Sequence, residues 1–274
     1  MSSTAVFCAI DDLIPVGGRP LTGFVEFLES LRELGIPCVW VTSRTRHQLD
    51  VTIRRLGNGE PFIGEGGSCV YMAEDYFHLK PAHTVRLGRF IAIPVAKRQP
   101  AAAEALEELT ETTGITIVPL GSLSPRELVQ NTGLARGEAE AIRQRDFDEL
   151  FFFAGASQQD IDRFRQEATR MKASVRPRDS LWSLAVDANV ATCVRELRKL
   201  YDRALHKTAF AVGIATTADD AELFAACDRA IFLTDTPESK ATPKTKSGPT
   251  AKSVALFRGD PWSQTLEMIQ GRQS

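Results

Sequence analysis

Three polar stretches of the sequence each follow an apolar run, and their side chains are candidates for ligand chemistry. They are Asp11-Asp12, Thr42-Ser43-Arg44 and Asp219-Asp220. Ligands of open parallel sheets bind beyond the carboxyl ends of the strands. The hydroxyl and guanidinium groups of Thr42-Ser43-Arg44, beside backbone N–H groups at a strand end, suit a phosphate. We therefore expect an anion site there, with the capping of the next helix as the alternative role for Ser43.

The elements that must position these residues follow from hydrophobic periodicity. An apolar run at 5–10 predicts a buried strand, residues 24–34 have helical spacing, and 36–41 predict a second strand. Such a strand, helix, strand unit is typical of a parallel sheet. The pattern changes near residue 88 and the first pattern resumes near residue 186. We expect an α/β fold with a parallel three-layer core, formed by 1–87 plus 186–274, that carries an inserted α+β cap at 88–185.

The composition excludes several classes of partner. The 274 residues include 33 Lys+Arg and 35 Asp+Glu, and the formal net charge of -2 provides no broad positive field for nucleic acid or an anionic membrane. No apolar run reaches the roughly 18 residues that a membrane span requires. The five cysteines are odd in number and widely spaced, and most have apolar neighbours. They are expected to be reduced core residues of a cytoplasmic protein.

The order of these stretches resembles the haloacid-dehalogenase superfamily with its larger, C2-type α/β cap. Within that superfamily, the sequence is most similar to the mannosyl-3-phosphoglycerate phosphatases. The supporting stretches are Val41-Thr42-Ser43-Arg44-Thr45-Arg46, Phe62-Ile63-Gly64-Glu65-Gly66-Gly67, Thr132-Gly133-Leu134, Arg145-Asp146-Phe147-Asp148-Glu149 and Asp260-Pro261-Trp262. The resemblance covers nearly the whole chain.

The resemblance implies a phosphoryl-transfer mechanism. In such enzymes an Asp at the end of the first strand attacks phosphorus, and a second Asp two residues later acts as acid and base. A Thr or Ser and a Lys hold the phosphoryl oxygens, and Mg²⁺ bridges the nucleophile and late acidic residues. In this sequence the implied catalytic residues are Asp11 as the acid/base and Thr42 as a phosphate contact.

The remaining site residues also follow from the resemblance. Ser43 and Arg44 are expected to bind the substrate beside Thr42, and Asp11, Asp219 and Asp220 to bind Mg²⁺. The Asp219-Asp220 pair could instead cap the following helix. Arg145 and Glu149 match cap positions that meet the sugar and glycerate parts of a substrate, although a charged pair four residues apart is often a surface feature.

Three positions depart from the pattern of the superfamily. Ala9 stands at the nucleophile, and a methyl group cannot attack phosphorus or bind Mg²⁺. Asn189 or Val190 stands where the phosphate-binding lysine is expected, and Thr216 replaces the first of the late metal-binding aspartates. Losses in three separate segments favour loss of the reaction.

Two functions remain open from the sequence. The first is a catalytically inactive relative that binds a phosphorylated sugar or sugar acid, or a partner enzyme. The second is an active phosphatase for a phosphorylated sugar acid, in which Asp11 assists the attack of water. The second would require Mg²⁺, whereas the first need not bind a cofactor.

Overall fold

The structure is a computed structural model, and it describes residues 3–78, 81–178, 180–217, 220–234, 249, 252–256 and 260–271. Asp219, one of the expected metal ligands, lies outside the described residues. No helix in the described ranges is long and apolar enough to cross a membrane. All five cysteines are buried and free, which confirms that they are core residues.

Strands and helices alternate along most of the chain. The strands are β1 (Thr4–Ala9), β2 (Cys38–Val41), β3 (Phe62–Gly64), β4 (Cys69–Met72), β5 (Val85–Leu87), β6 (Phe90–Pro94), β7 (Ile117–Pro119), β8 (Asp148–Phe153), β9 (Ala173–Arg178), β10 (Leu181–Val186), β11 (Phe210–Ala215), β12 (Arg229–Thr234) and β13 (Lys252–Ala255). The helices are α1 (Phe24–Glu33), α2 (Arg46–Leu56), α3 (Gln99–Thr113), α4 (Pro125–Thr132), α5 (Arg136–Ile142), α6 (Gln158–Arg170), α7 (Val190–Leu205), α8 (Ala221–Ala225) and α9 (Pro261–Gln270).

The larger sheet forms the centre of the core. Among the described residues its strand order is β13-β12-β11-β1-β2-β3-β4-β6-β5, with β1 paired in parallel to both β11 and β2. One face packs against α1, α2 and α9, and the other against α7 and α8, each through a separate cluster of buried apolar side chains. Apolar residues on both faces of β1 and β2 explain why these strands are near-continuous hydrophobic runs. The α/β class and the three-layer core are confirmed, but the sheet is mixed: the strands from β13 to β3 pair in parallel, whereas β3 with β4, β4 with β6 and β6 with β5 pair antiparallel.

A second sheet forms the cap. Its strand order in the described part of the chain is β7-β8-β10-β9, and all of its pairings are antiparallel. Helices α3 and α6 cover one face of this sheet, where Phe164 of α6 packs with Phe151 of β8 and Leu184 of β10. The expected domain start at residue 88 falls before β6, whereas β6 pairs with β4 in the larger sheet. The hairpin of β5 and β6 continues the core sheet, and the sequence pattern alone did not distinguish it from a first cap strand.

Candidate functional site

The first and second polar stretches meet at the carboxyl ends of β1 and β2. The Thr42 hydroxyl donates a hydrogen bond to Asp11 Oδ1, and the Ser43 backbone N–H donates to Asp11 Oδ2 at 2.8 Å. The parallel pairing of Ala9 with Val41 places the two loops side by side. The hydroxyl and N–H groups expected to hold phosphate oxygens therefore hold a carboxylate of the protein itself.

Arg44 fixes the loop that carries Asp11. Its side chain is buried, its Nη2 atom donates to the backbone carbonyls of Asp11 and Ile14, and its Nε atom lies 3.7 Å from Asp11 Oδ1. Ser43 does not cap the following helix, because Thr45 occupies that position in a reciprocal capping box with Gln48. The Arg44 guanidinium group therefore donates its hydrogen bonds to the loop that follows β1.

The third stretch lies beside the same loop. The Thr216 hydroxyl donates to Asp12 Oδ2 at 2.5 Å, which joins the end of β11 to the loop after β1. Asp220 stands at the N-cap position of α8, but its side chain makes no capping hydrogen bond. Burial and the nearby Asp11 carboxylate raise the pKa of Asp220 to about 7. The carboxyl group of Asp220 therefore interacts electrostatically with Asp11.

One face of the cap sheet carries two arginines beside the core, next to Leu150 and Leu181, which pack in a separate apolar cluster with α4 and α5. Val175 of β9 packs into the cap core, so Arg176 and Arg178 lie on the opposite face because successive side chains of a strand alternate. Arg176 donates to the Gly66 carbonyl of the core at 3.4 Å and forms an ion pair with Glu222 of α8 at 3.0 Å. Arg178 lies against Gly66, where an added Cβ would be only 2.4 Å from its Nη2 atom.

Arg145 also joins cap and core. Its buried side chain pairs with Asp148, and Nη2 donates to the Ser43 carbonyl at 3.0 Å. The interpretation as a surface pair with Glu149 is wrong, since the partner is Asp148 and the residue lies between α5 and β8. Arg145 therefore connects Asp148 of the cap to the loop after β2 that contains Thr42 and Ser43.

Glu149 does not join this group. It follows Asp148 on β8 and therefore points to the other face of the cap sheet, where it accepts a hydrogen bond from Gln99 of α3. Burial raises the pKa of its carboxyl group. The structure thus separates Glu149 from Asp11, Thr42, Ser43 and Arg44, which it brings together.

We compared the sequence and the structure with those of known proteins. No protein-family model matches the chain. The chain is 25% identical over 219 residues to a glucosyl-3-phosphoglycerate/mannosyl-3-phosphoglycerate phosphatase of Methanococcoides burtonii, and the match covers 79% of this chain and 78% of the relative. A solved structure from Thermoplasma acidophilum has a TM-score of 0.66 at 15% identity, with 97% of this chain and 98% of that chain covered. A haloacid dehalogenase-like hydrolase from Bacteroides thetaiotaomicron has a TM-score of 0.61 at 13% identity, with 97% and 99% covered.

The chain has the haloacid-dehalogenase fold. Its sequence is similar to those of mannosyl-3-phosphoglycerate phosphatases, as the motifs predicted. Within this haloacid-dehalogenase fold, Ala9 ends β1 and is 9% exposed. The methyl group of Ala9 occupies the place that the motif comparison assigns to the nucleophile.

The described residues, which do not include Asp219, do not fit the Mg²⁺ ion that phosphatases of the haloacid-dehalogenase fold use. Mg²⁺ requires a near-octahedral set of oxygen ligands. Ala9 provides none, both oxygens of Asp11 already accept hydrogen bonds, and the Thr216 hydroxyl is committed to Asp12. Among the described residues no three carboxylate, imidazole or thiol side chains converge as metal ligands.

The sequence analysis did not single out the two cap arginines Arg176 and Arg178. It quoted Glu65 only within a stretch that supports the resemblance and did not predict its contacts. Arg176 and Arg178 are two residues apart, a spacing that places both on one face of an extended strand. That spacing was the available signal. Glu65 gave no such signal, because its partners are backbone groups of Asp146, Phe147 and Asp148 in the cap.

Proposed function

We propose that this protein is a catalytically inactive relative of mannosyl-3-phosphoglycerate phosphatases that binds a phosphorylated sugar or sugar acid in the cleft between cap and core. The name of the Methanococcoides burtonii relative makes mannosyl- or glucosyl-3-phosphoglycerate the first ligands to test. A cytoplasmic location remains part of the proposal. Regulation of a partner enzyme through the liganded cleft is the wider role that this binding would serve.

One observation carries the proposal. The Asp11 carboxylate occupies the hydroxyl and N–H donors of Thr42 and Ser43, while the neighbouring strand end presents the methyl group of Ala9. A covalent mechanism needs a nucleophile at the position of Ala9, and it needs the donors of Thr42 and Ser43 to be free for the phosphoryl oxygens. Neither requirement is met by the residues present.

The alternative is hydrolysis by water with Asp11 as the base. A general base must be within reach of the water whose proton it accepts. Asp11 Oδ1 is bound by the Thr42 hydroxyl and faces Arg44 Nε, and Oδ2 is bound by the Ser43 N–H. These contacts favour a structural role for Asp11 in ordering the loop, which supports the inactive function.

Phosphate release tests the absence of catalysis. The purified protein is incubated at high concentration with Mg²⁺ and mannosyl-3-phosphoglycerate, other sugar phosphates or an aryl phosphate, with Asp11→Asn as the matched control. We expect no release above that of the control. Release that disappears in Asp11→Asn would overturn the proposal and establish an unorthodox phosphatase.

Calorimetry tests the binding part of the same proposal. Mannosyl-3-phosphoglycerate and glucosyl-3-phosphoglycerate are titrated into the protein, with the unphosphorylated glycosylglycerates as controls. We expect saturable heat for a phosphorylated ligand and a weaker response for its unphosphorylated counterpart. If no phosphorylated sugar or sugar acid binds, the cleft is not a phosphosugar site.

A further inference from the structure

Arg178 carries a guanidinium group at the junction of cap and core. It forms no hydrogen bond or ion pair with another described residue, and its Nε atom is buried without an acceptor. A buried donor that lacks an acceptor destabilises the folded protein. Trp40 and Asn58 also have one such buried donor, but Arg178 is the charged group of the three, and binding of an anionic ligand is one use for its donors.

The position of Arg178 is built by both domains. Strand β9 presents it beside Arg176, which is fixed to Glu222 and to the Gly66 carbonyl of the core. Gly66 has a φ of 64° and no side chain, and any Cβ there would meet Arg178 Nη2 at 2.4 Å. The loop of the core thus leaves room for this guanidinium group.

Two carboxylates of the acidic stretches, those of Asp11 and Asp220, interact electrostatically with Arg178. Burial lowers the pKa of the Arg178 guanidinium, and the Asp11 carboxylate is the strongest influence in the opposite direction. Arg178 and Arg176 in turn oppose the rise in the pKa of Asp220. One cation from the cap therefore lies in the electrostatic range of two acidic residues that the family resemblance assigned to Mg²⁺.

The N–H donors of three other arginines around the cleft already bind protein groups. Arg44 donates to two backbone carbonyls, Arg145 pairs with Asp148, and Arg176 pairs with Glu222 through both carboxylate oxygens. Among these four arginines, Arg178 alone keeps its planar set of N–H donors unused by the described residues. A guanidinium group with free donors matches the tetrahedral oxygens of a phosphate.

We propose that Arg178 replaces the divalent cation of this fold as the source of positive charge, and that it binds the phosphoryl group of the ligand directly. Recognition of a phosphate monoester is then independent of Mg²⁺. This inference rests on the proposed function and specifies how the same cleft binds its ligand. It also couples binding to the cap, since Arg178 belongs to β9.

Calorimetry with three probes tests the inference. Inorganic phosphate, 3-phosphoglycerate and glycerate are titrated into the full chain, once in EDTA and once in Mg²⁺, so that phosphate and carboxylate recognition are separated. We expect both phosphorylated probes to bind with the same affinity in the two buffers, and glycerate to bind at least tenfold more weakly. Arg178→Gln is expected to reduce the affinity for the phosphorylated probes at least tenfold, and Arg178→Lys to recover part of it.

The controls separate ligand binding from folding. Arg163→Gln removes an exposed arginine of α6 in the same cap and should leave binding unchanged. Urea unfolding of Arg178→Gln should occur at the same or a higher urea concentration than in the wild type, because the replaced group has no acceptor in the part of the chain that the structure describes. A clear loss of stability would mean that Arg178 holds the protein together, which would overturn its assignment to a ligand.

The outcomes distinguish this inference from the proposed function. If the phosphorylated probes bind only with Mg²⁺, or bind Arg178→Gln as tightly as the wild type, the inference fails while the phosphosugar-binding function stands. If neither the probes nor the glycosylated phosphoglycerates bind in either buffer, the proposed function fails, and the inference fails with it.

Discussion

The Glu65 side chain of the core accepts the backbone N–H of Phe147 in the cap at 2.9 Å. The same Oε2 atom accepts the Asp146 N–H at 3.0 Å, while the Tyr71 hydroxyl donates to Oε1 at 3.1 Å. Glu65 is 1% exposed, and its backbone has a φ of 48°, in the left-handed region. This carboxyl group joins the loop after β3 to the segment that precedes β8.

The stability of this junction should depend on pH. Burial and the adjacent Asp148 carboxylate raise the pKa of Glu65 from 4.5 to about 8. The folded protein therefore retains a proton that the unfolded chain releases, and this contribution to stability is full below pH 4.5 and lost as pH rises through about 8. One proton corresponds to at most about 1.4 kcal/mol per pH unit. Urea unfolding from pH 5 to 9 should show a steeper loss of stability in the wild type than in Glu65→Gln, whose side chain cannot ionise.

The matched control is Glu108→Gln, which alters an exposed glutamate on α3. The difference between wild type and each variant cancels the titration of other groups. If the curve of Glu65→Gln runs parallel to that of the wild type, Glu65 is ionised throughout and the pKa assignment is wrong.

Gly67 should tolerate no side chain. Its φ is 93°, and an added Cβ would lie 2.5 Å from the Val190 backbone nitrogen and 2.9 Å from the Val190 Cα atom. Its carbonyl accepts the Asn189 N–H at 2.9 Å, which fixes the segment that returns from the cap to α7. Gly67→Ala should destabilise the protein by about 2–4 kcal/mol because backbone must move and the φ is unfavourable.

Gly59→Ala is the comparison for that substitution. An added Cβ at Gly59 meets no atom within 4 Å, and the change should stay within about 0.5 kcal/mol of the wild type in urea unfolding. Equal effects of the two substitutions would show that the contact of Gly67 with Val190 does not determine the geometry of this junction.

The core could be predicted from the sequence because its strands are apolar on both faces. The runs around β1 and β2 are buried by helices on each side, and they end at polar residues or glycine. The same patterns located Asp11 and Thr42 at neighbouring strand ends, where their hydrogen bond joins them. A buried strand is marked by the apolar residues within it, and its end by the polar residues that follow, so both can be predicted from a short stretch of sequence.

The cap and its cleft could not be predicted in the same way. Helix α6 buries only Phe164 and Ala168 and is rich in charged residues, so few apolar positions mark it in the sequence. Arg178 acquires its role only when the pairing of β9 with β10 turns it toward the core. The separation of Glu149 from Asp148 likewise depends on which cap face the helices cover. These are properties of tertiary packing across long sequence separations.

Trp262 should stabilise the end of the chain. It is 7% exposed, its ring lies 5.3 Å from Phe24 and 5.0 Å from Phe27, and its Nε1 atom donates to the Thr22 carbonyl at 2.8 Å. Trp262→Ala should cost about 3–5 kcal/mol, because a large cavity opens between α9 and α1. Trp262→Phe keeps ring contacts and loses the hydrogen bond, so urea unfolding should show a clearly smaller loss. Similar losses for both variants would assign the effect to the hydrogen bond.

Restoring a carboxylate at the end of β1 should not restore catalysis. In Ala9→Asp the new side chain would enter a nearly buried position close to Asp11, and like charges there disfavour ionisation of both groups. The Thr42 and Ser43 donors would still hold Asp11, and Thr216 would still bind Asp12 in place of a metal ion. We expect no Mg²⁺-dependent phosphate release from an aryl phosphate, and a melting temperature below that of the wild type.

The double variant Ala9→Asp with Thr216→Asp makes the test sharper. It supplies the second missing carboxylate but leaves the expected lysine absent at Asn189 and Val190. Arg178 would still bring a positive charge close to the acidic residues, and that charge opposes the entry of Mg²⁺. We therefore expect the double variant to remain inactive as well. Mg²⁺-dependent release by either variant, abolished by a further Asp11→Asn, would show that Asp11 can still serve as acid and base. The replaced carboxylates would then be the only barrier to the reaction.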